Sequence, residues 1–242
     1  MKKIIYFSIV SLFAGFISSS CNRDVAPPPP PKDYSFIEGF DSLETSFSRG
    51  WVAINNSVPM GEQTWSNGAL VDGKKGVINP IAAQSYTYSG QDYAMSSFYT
   101  AGGDTTGFGA LGQKPTISNW LISPSTVMKN GDQISFYTRC YRSPASFPDR
   151  MQVYLNPVNN SSDVGADSSS IGSFTTKLLD INPTYTNIGY PGVWKQYTIT
   201  LSGLSAPLER RFAFRYYVSG GGVAGSRSLA IGIDQVEFKS AK

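Results

Sequence analysis

Apolar residues fall on every second position in segment after segment of this chain. In "RRFAFRYYV" Phe212, Phe214, Tyr216 and Val218 share one face; "DRMQVYL" repeats the pattern with Met151, Val153 and Leu155, and "WKQYTITLSGL" with Tyr197, Ile199 and Leu201. Alternation with period two is the mark of a strand with one face on a core. Each run is bounded by Gly, Pro, Asn or Ser, and no helical period is sustained over a window of about eleven residues. The pattern predicts an all-β chain, folded as a two-sheet β-sandwich of jelly-roll topology. In "NWLISP" Trp120 and Ile122 face one side and Leu121 the other, which predicts a strand buried on both faces that Pro124 ends. In "LAIGIDQVEF" Leu229, Ile231 and Ile233 share one parity and Val236 and Phe238 the other. An extra residue near Asp234 and Gln235 is needed to switch them, so a β-bulge is expected there.

The first residues carry a different pattern. Lys2 and Lys3 precede an apolar run from Ile4 to Ile17 and three serines, Ser18 to Ser20, the charged, apolar and small-residue order of a secretory signal. The run is shorter than the about 20 apolar residues of a membrane-spanning helix. Ser18-Ser19-Ser20-Cys21 resembles the lipobox of bacterial lipoproteins, with Ser18 in place of the usual Leu, which implies that Cys21 becomes the lipidated first residue of the mature chain. The alternative, a Cys21–Cys140 disulfide in an oxidising compartment, is opposed by "ISFYTRCY", where Ile134, Phe136, Thr138 and Cys140 share one face and Cys140 reads as a small buried hydrophobe. Pro27 to Pro31 predict a polyproline II spacer rising ~3.1 Å per residue. The expected organisation is a signal over 1–20, a lipidated Cys and spacer over 21–33, and one domain over 34–242, anchored to an outer membrane through its lipid.

Charge and composition narrow the chemistry. Lysines and arginines number 20 against 17 acids, and loss of Lys2 and Lys3 takes the net charge from +3 to +1, so nucleic acid is not an expected partner. The chain has no histidine, which excludes Ser-His-Asp and Cys-His nucleophile systems and most zinc sites. Gly107 to Gly112 spells G-x-G-x-x-G, but it follows "TAGGDTT" and runs into "QKP" rather than joining a strand to a helix, so no nucleotide is expected.

A family resemblance rests on "FIEGFDSL" followed by Trp51, then "SNWLISPSTVMKNGDQISFYTR", "FPDRMQVYL", "FTTKLLDINPTY", "YPGVWKQYTITLSGL", "RFAFRYYV" and "IGIDQVEF". In this order the segments resemble the cleaved adhesin family and its choice-of-anchor J relatives, over nearly all of Tyr34 to Lys242; Asn119 to Pro124 and Asp149-Arg150 are the most specific pieces. The resemblance implies a MAM-like jelly roll on a secreted or anchored protein of Bacteroidetes, with binding at a cell surface. Read from the residues alone, Asp149-Arg150 is a sugar-gripping or, more simply, a structural ion pair, and Arg215 a solvated or paired strand arginine.

The acids cluster at the two ends of the domain: Glu38 and Asp41 in the first strand region, Asp234 and Glu237 in the last. First and last strands of a jelly roll are often neighbours, and carboxylates brought together at a bulge repel unless a proton or cation intervenes. Calcium, with its preference for carboxylate and carbonyl oxygens, is the expected ion, and the resemblance also implies it. Solvated edge acids are the alternative. For ligand contact the expectation falls on aromatics in Gly- and Ser-rich loops: Trp65, Tyr86, Tyr88 and Tyr99. These observations together predict a non-catalytic module for a carbohydrate or glycoprotein. Its competitors are an accessory subunit of a surface complex and a carboxylate-dependent glycoside hydrolase.

Overall fold

The structure, a computed structural model, describes residues 32–61, 63–68, 87–101, 115–141, 145–222 and 225–242. The strands run in chain order β1 (Phe36–Glu38), β2 (Val52–Asn55), β3 (Ser66–Asn67), β4 (Ala94–Ser97), β5 (Thr116–Ile122), β6 (Thr126–Met128) and β7 (Gln133–Cys140). They continue with β8 (Met151–Leu155), β9 (Thr176–Ile181), β10 (Lys195–Thr200), β11 (Leu208–Arg210), β12 (Phe212–Ser219) and β13 (Ala230–Lys239). One short helix, α1 (Leu43–Ser48), is capped by the Ser42 hydroxyl, which accepts from the Thr45 N–H.

Two antiparallel sheets face each other in a jelly-roll sandwich. The first has the order β10-β7-β13-β4-β3, with β1 also paired to β13; the second has the order β2-β5-β12-β8-β9, and β6 and β11 form a separate ribbon. The alternating positions read from the sequence meet between the sheets: Phe136, Ile134 and Cys140 of β7, Ile231 and Phe238 of β13, Phe212, Phe214 and Val218 of β12, Met151 and Val153 of β8. Ring contacts lock the two sheets, Phe136 meeting Phe214 edge-on at 4.9 Å between centroids.

Both outer faces are partly covered as well. Trp120 and Ile122 lie outside the second sheet against Tyr154, Val164 and Phe174, while Leu121 lies in the main core. β5 is therefore buried on both faces, as its sequence predicts. Outside the first sheet Tyr93, Met95 and Ala230 pack with Tyr141 and Trp194. Gly232 makes this possible: a Cβ there would lie 2.8 Å from the Tyr93 ring and 2.9 Å from the Trp194 ring.

The expected bulge is present. The β13–β7 register shifts between Asp234 and Glu237, and Gln235 takes a left-handed conformation with φ 47°. The bulge turns Val236 and Phe238 to the core while Asp234, opposite Tyr137, faces outward.

Candidate functional site

The site grows from that bulge. The Asp234 carboxylate accepts the backbone N–H groups of Tyr88 and Ser89, each at 2.9 Å, and of Gln235 at 2.6 Å. The Ser89 hydroxyl donates to the Gln235 side chain at 2.6 Å. At the other end of the same turn, Asp41 accepts from the N–H groups of Gln91 and Asp92. Within it the Thr87 hydroxyl donates to the Gly90 carbonyl. Gly90 has φ +63°, and a Cβ there would overlap the Asp41 carboxylate, so the turn closes only around a glycine.

Two carboxylates thus clamp residues 87–92, and the clamp sets one ring. Tyr88 lies flat on Tyr137, 3.5 Å between centroids and 16° between planes, and remains 43% exposed. Hydrogen bonding to Tyr137 raises the Tyr88 phenol above its ordinary pKa, with burial and the Asp234 charge acting the same way. Burial pushes Asp234 up from 3.8 to about 6 against its three N–H donors, with Asp41 adding repulsion. Across the strand register Tyr137 is flanked by Gln196 of β10 and Asp234 of β13. A flat exposed ring bordered by amide and hydroxyl groups can stack on the apolar face of a sugar and hydrogen-bond its hydroxyls.

The remaining expected site residues separate. Trp65 is buried at 3% in the main core, because it directly precedes β3, whose pairing with β4 carries the ring inward; it offers no platform. Tyr99 is half-buried in the turn Phe98–Thr100, its ring against Phe98 at 4.2 Å. Tyr86, Cys21 with its leader and spacer, and the Gly107–Gly112 motif lie outside the described residues.

The four acids do not form one cage. First and last strands are neighbours, but β1 pairs with β13 beyond the bulge, so Glu38 stands opposite Val236 instead of Asp234. Glu38 accepts both prongs of Arg49, at 3.1 and 2.6 Å, and the Phe40 N–H. Glu237 stands opposite Ile37 and Ser135. Among the described residues no three His, Cys, Asp or Glu side chains gather closely enough to hold a metal ion. Only Asp41 and Asp234 address a common segment.

Asp149 and Arg150 do not pair with each other. Arg150 grips Asp180 with two hydrogen bonds of 2.8 and 2.7 Å. Asp149 points into the core, accepting the Tyr216 hydroxyl and the Leu229 N–H, and burial pushes its carboxyl up from 3.8 to about 7. Tyr137 is the site residue the sequence reading missed. Its signal was an aromatic on the outward parity of β7, beside the inward Phe136.

No protein-family model and no curated protein matches this chain. Solved structures do. The K1 cleaved adhesin domain of Lys-gingipain from Porphyromonas gingivalis W83 superposes with a TM-score of 0.52 at 21% identity, over 86% of this chain and 99% of that domain. The K3 domain from the same organism gives 0.51 at 15% identity, over 87% and 99%. The K2 domain of Lys-gingipain gives 0.52 at 16% identity, over 85% and 99%. The chain has the fold of a cleaved adhesin domain.

Proposed function

We propose that this protein is a non-catalytic binding module that recognises a carbohydrate or glycoprotein through the Tyr88–Tyr137 platform and is displayed from an outer membrane by a lipid on Cys21. The observation that carries the reading is the exposed Tyr88 ring, laid on Tyr137 and fixed by carboxylates at both ends of its turn. A ring held in place loses little entropy on binding. The likeness to domains named as adhesins supports the same role. Catalysis by acid pairs is disfavoured because Asp234 and Asp41, the acids at the platform, already hold backbone N–H groups. Calcium enters this reading only between Asp41 and Asp234; two carboxylates supply a minority of the about 6–8 oxygens the ion takes, so loop carbonyls and water would supply the rest.

A shallow polar site recovers little after desolvation, so affinity for one glycan should fall in the micromolar to millimolar range, about 10⁻⁶ to 10⁻³ M. A glycan array probed with multimerised protein tests the proposal. Binding that disappears in both Tyr88→Ala and Tyr137→Ala, with unchanged melting of the variants, supports it. Binding that survives both, or cleavage of a bound sugar, overturns it. Absence of binding throughout would favour an accessory subunit, a role to which the exposed apolar Ile188 (76%) and Val193 (73%) are suited.

A further inference from the structure

The outer face of the second sheet carries arginines and rings in alternation. At its covered end the Arg215 guanidinium lies 4.7 Å from the Trp120 ring and 4.1 Å from that of Tyr217. Arg150 follows, 5.4 Å from Tyr217 and 5.6 Å from Tyr185, and Arg227 lies 4.0 Å from Tyr185. The order Trp120, Arg215, Tyr217, Arg150, Tyr185, Arg227 is built by register: Ser118 and Trp120 on β5, Arg215 and Tyr217 on β12, and Arg150 ahead of β8 face the same way. Tyr185 and Arg227 come from the loops that follow β9 and β12.

Exposure rises along the row. Arg215 is 2% exposed, donating to Ser118, Gln152 and the Ser168 carbonyl; the Arg150 side chain is 15% exposed. Arg227 is half-buried and donates to one carbonyl, that of Ser219 at 3.2 Å; among the described residues no carboxylate pairs with it. Lys177, with its side chain 46% exposed, shares Asp180 with Arg150. Among the described residues, Asp180 is thus paired by Arg150 and Lys177, and neither Arg215 nor Arg227 has a carboxylate partner. Asp149 is turned into the core, and Asp167, on the loop beside Ser168, is occupied by the N–H groups of Ser169 and Ser170.

We infer that the Arg227–Tyr185–Arg150 end of this row is a second binding site, for an anionic saccharide. The Arg227 guanidinium presents a planar fork to a carboxylate or sulfate beside the Tyr185 ring, while Arg150, its own fork held by Asp180, adds positive charge on the other side of that ring. The charges are separated by rings rather than contiguous, which matches an acidic group carried on successive sugars better than a phosphodiester chain. The site is independent of the Tyr88 platform, which lies on the other sheet.

Affinity electrophoresis of the whole protein in gels containing polygalacturonate or dextran sulfate, with neutral dextran as control, tests the assignment and separates carboxylate from sulfate recognition. Retardation should occur in at least one anionic gel and not in dextran. Arg227→Ala should weaken it about fivefold, the scale of one charge-assisted contact at a partly exposed site. Lys239→Ala, an equal loss of charge at the end of β13, and Tyr88→Ala should leave it unchanged. No retardation of the wild type, an equal loss in Lys239→Ala, or tighter retention by single-stranded DNA than by either polysaccharide overturns the site. Arg227→Lys separates fork geometry from charge, and it should recover less than half of the lost retardation.

Discussion

Raising the pH from about 4 to about 7 should destabilise this protein, the reverse of the usual trend for a fold rich in paired carboxylates. The perturbation acts on Asp149. Its carboxyl is pushed from 3.8 to about 7 by burial, which outweighs the hydrogen bonds from Tyr216 and from the N–H groups of Leu229 and Ala230. Between those pH values the folded state holds a proton that the unfolded chain has released, so the contribution is complete below the unfolded pKa and is lost as pH rises through the folded one. Going from 3.8 to about 7, at ~1.36 kcal/mol per pH unit, sets the scale at on the order of 4 kcal/mol. Asp234, raised to about 6, acts in the same direction. Below the window the sign reverses. Burial raises Asp180, but hydrogen bonds from Arg150, Lys177 and Gln152 bring it to about 2, and that stability fades as pH falls from the ordinary carboxylate range toward 2. Stability should therefore peak at about pH 4, close to the unfolded carboxylate value, where the Asp180 contribution is complete and the loss from Asp149 and Asp234 begins. With no histidine in the chain, little besides these carboxylates titrates through the upper part of the window. Urea midpoints measured across it should drop by about 1–2 M at an m-value of ~2 kcal/mol/M. Asp149→Asn should flatten the slope, even though the variant is less stable overall because the Asn amide faces the Ala230 N–H. A midpoint that is constant or rises from pH 4 to pH 7 would refute the reasoning.

Three further outcomes follow from the geometry. Gly232→Ala should cost roughly 1–3 kcal/mol and disturb Trp194 fluorescence, because its Cβ meets the Tyr93 and Trp194 rings at under 3 Å; an unchanged melting curve and spectrum would remove the close-packing argument. If a cation joins Asp41 to Asp234, chelator should lower the melting temperature of wild type and leave Asp41→Asn unaffected, since a ligand of the folded state stabilises by mass action; identical curves with calcium and chelator assign the clamp to its N–H donors alone. Cys21→Ala should release the protein from membranes into the soluble fraction, and mass spectrometry showing an unmodified Cys21 bonded to Cys140 would end the lipoprotein proposal.

What was legible in the sequence was whatever a single strand encodes about itself. Alternation placed Phe212, Phe214, Tyr216 and Val218 in the core, the double-faced pattern of β5 placed Trp120 and Leu121 on opposite sides, and the parity switch located the bulge. The site was less legible because it depends on what crosses over what. Nothing local to Trp65 reports its burial, because β3, which follows it, is two residues long and carries no alternation. Adjacency suggests that Asp149 and Arg150 act together, yet neighbours at the opening of a strand point to opposite faces, one into the core and one to Asp180. Clustering in sequence suggests that the acids are metal ligands. Their partners, the N–H groups of residues 88, 89, 91 and 92, lie in a turn about 50 or about 145 residues away, which no local pattern reports.

Arg215 shows the same limit and what lies behind it. Its outward parity suggested solvent, but residues 156–175 cross the outer face of the second sheet and bury it. That segment contains no strand, so its carbonyls need partners from elsewhere. Arginines of β11 and β12 and the junction between them provide these: Arg210 donates to the Pro157 carbonyl at 2.8 Å, Arg211 to that of Asn160 at 2.9 Å, and Arg215 to that of Ser168. Arg210 and Arg211 also reach the carbonyls of Met128 and Ser123, so each guanidinium ties the covering segment to a second part of the sandwich. A lysine could not bridge in this way, because its single ammonium lacks the spread of a five-donor fork. The covering segment packs on Trp120 and holds Arg215, whereas Tyr185 and Arg227 at the other end of the row stay half-buried and Arg150 is held by Asp180, so the device that shields one half of this face leaves the Tyr185–Arg227 end for the ligand proposed above.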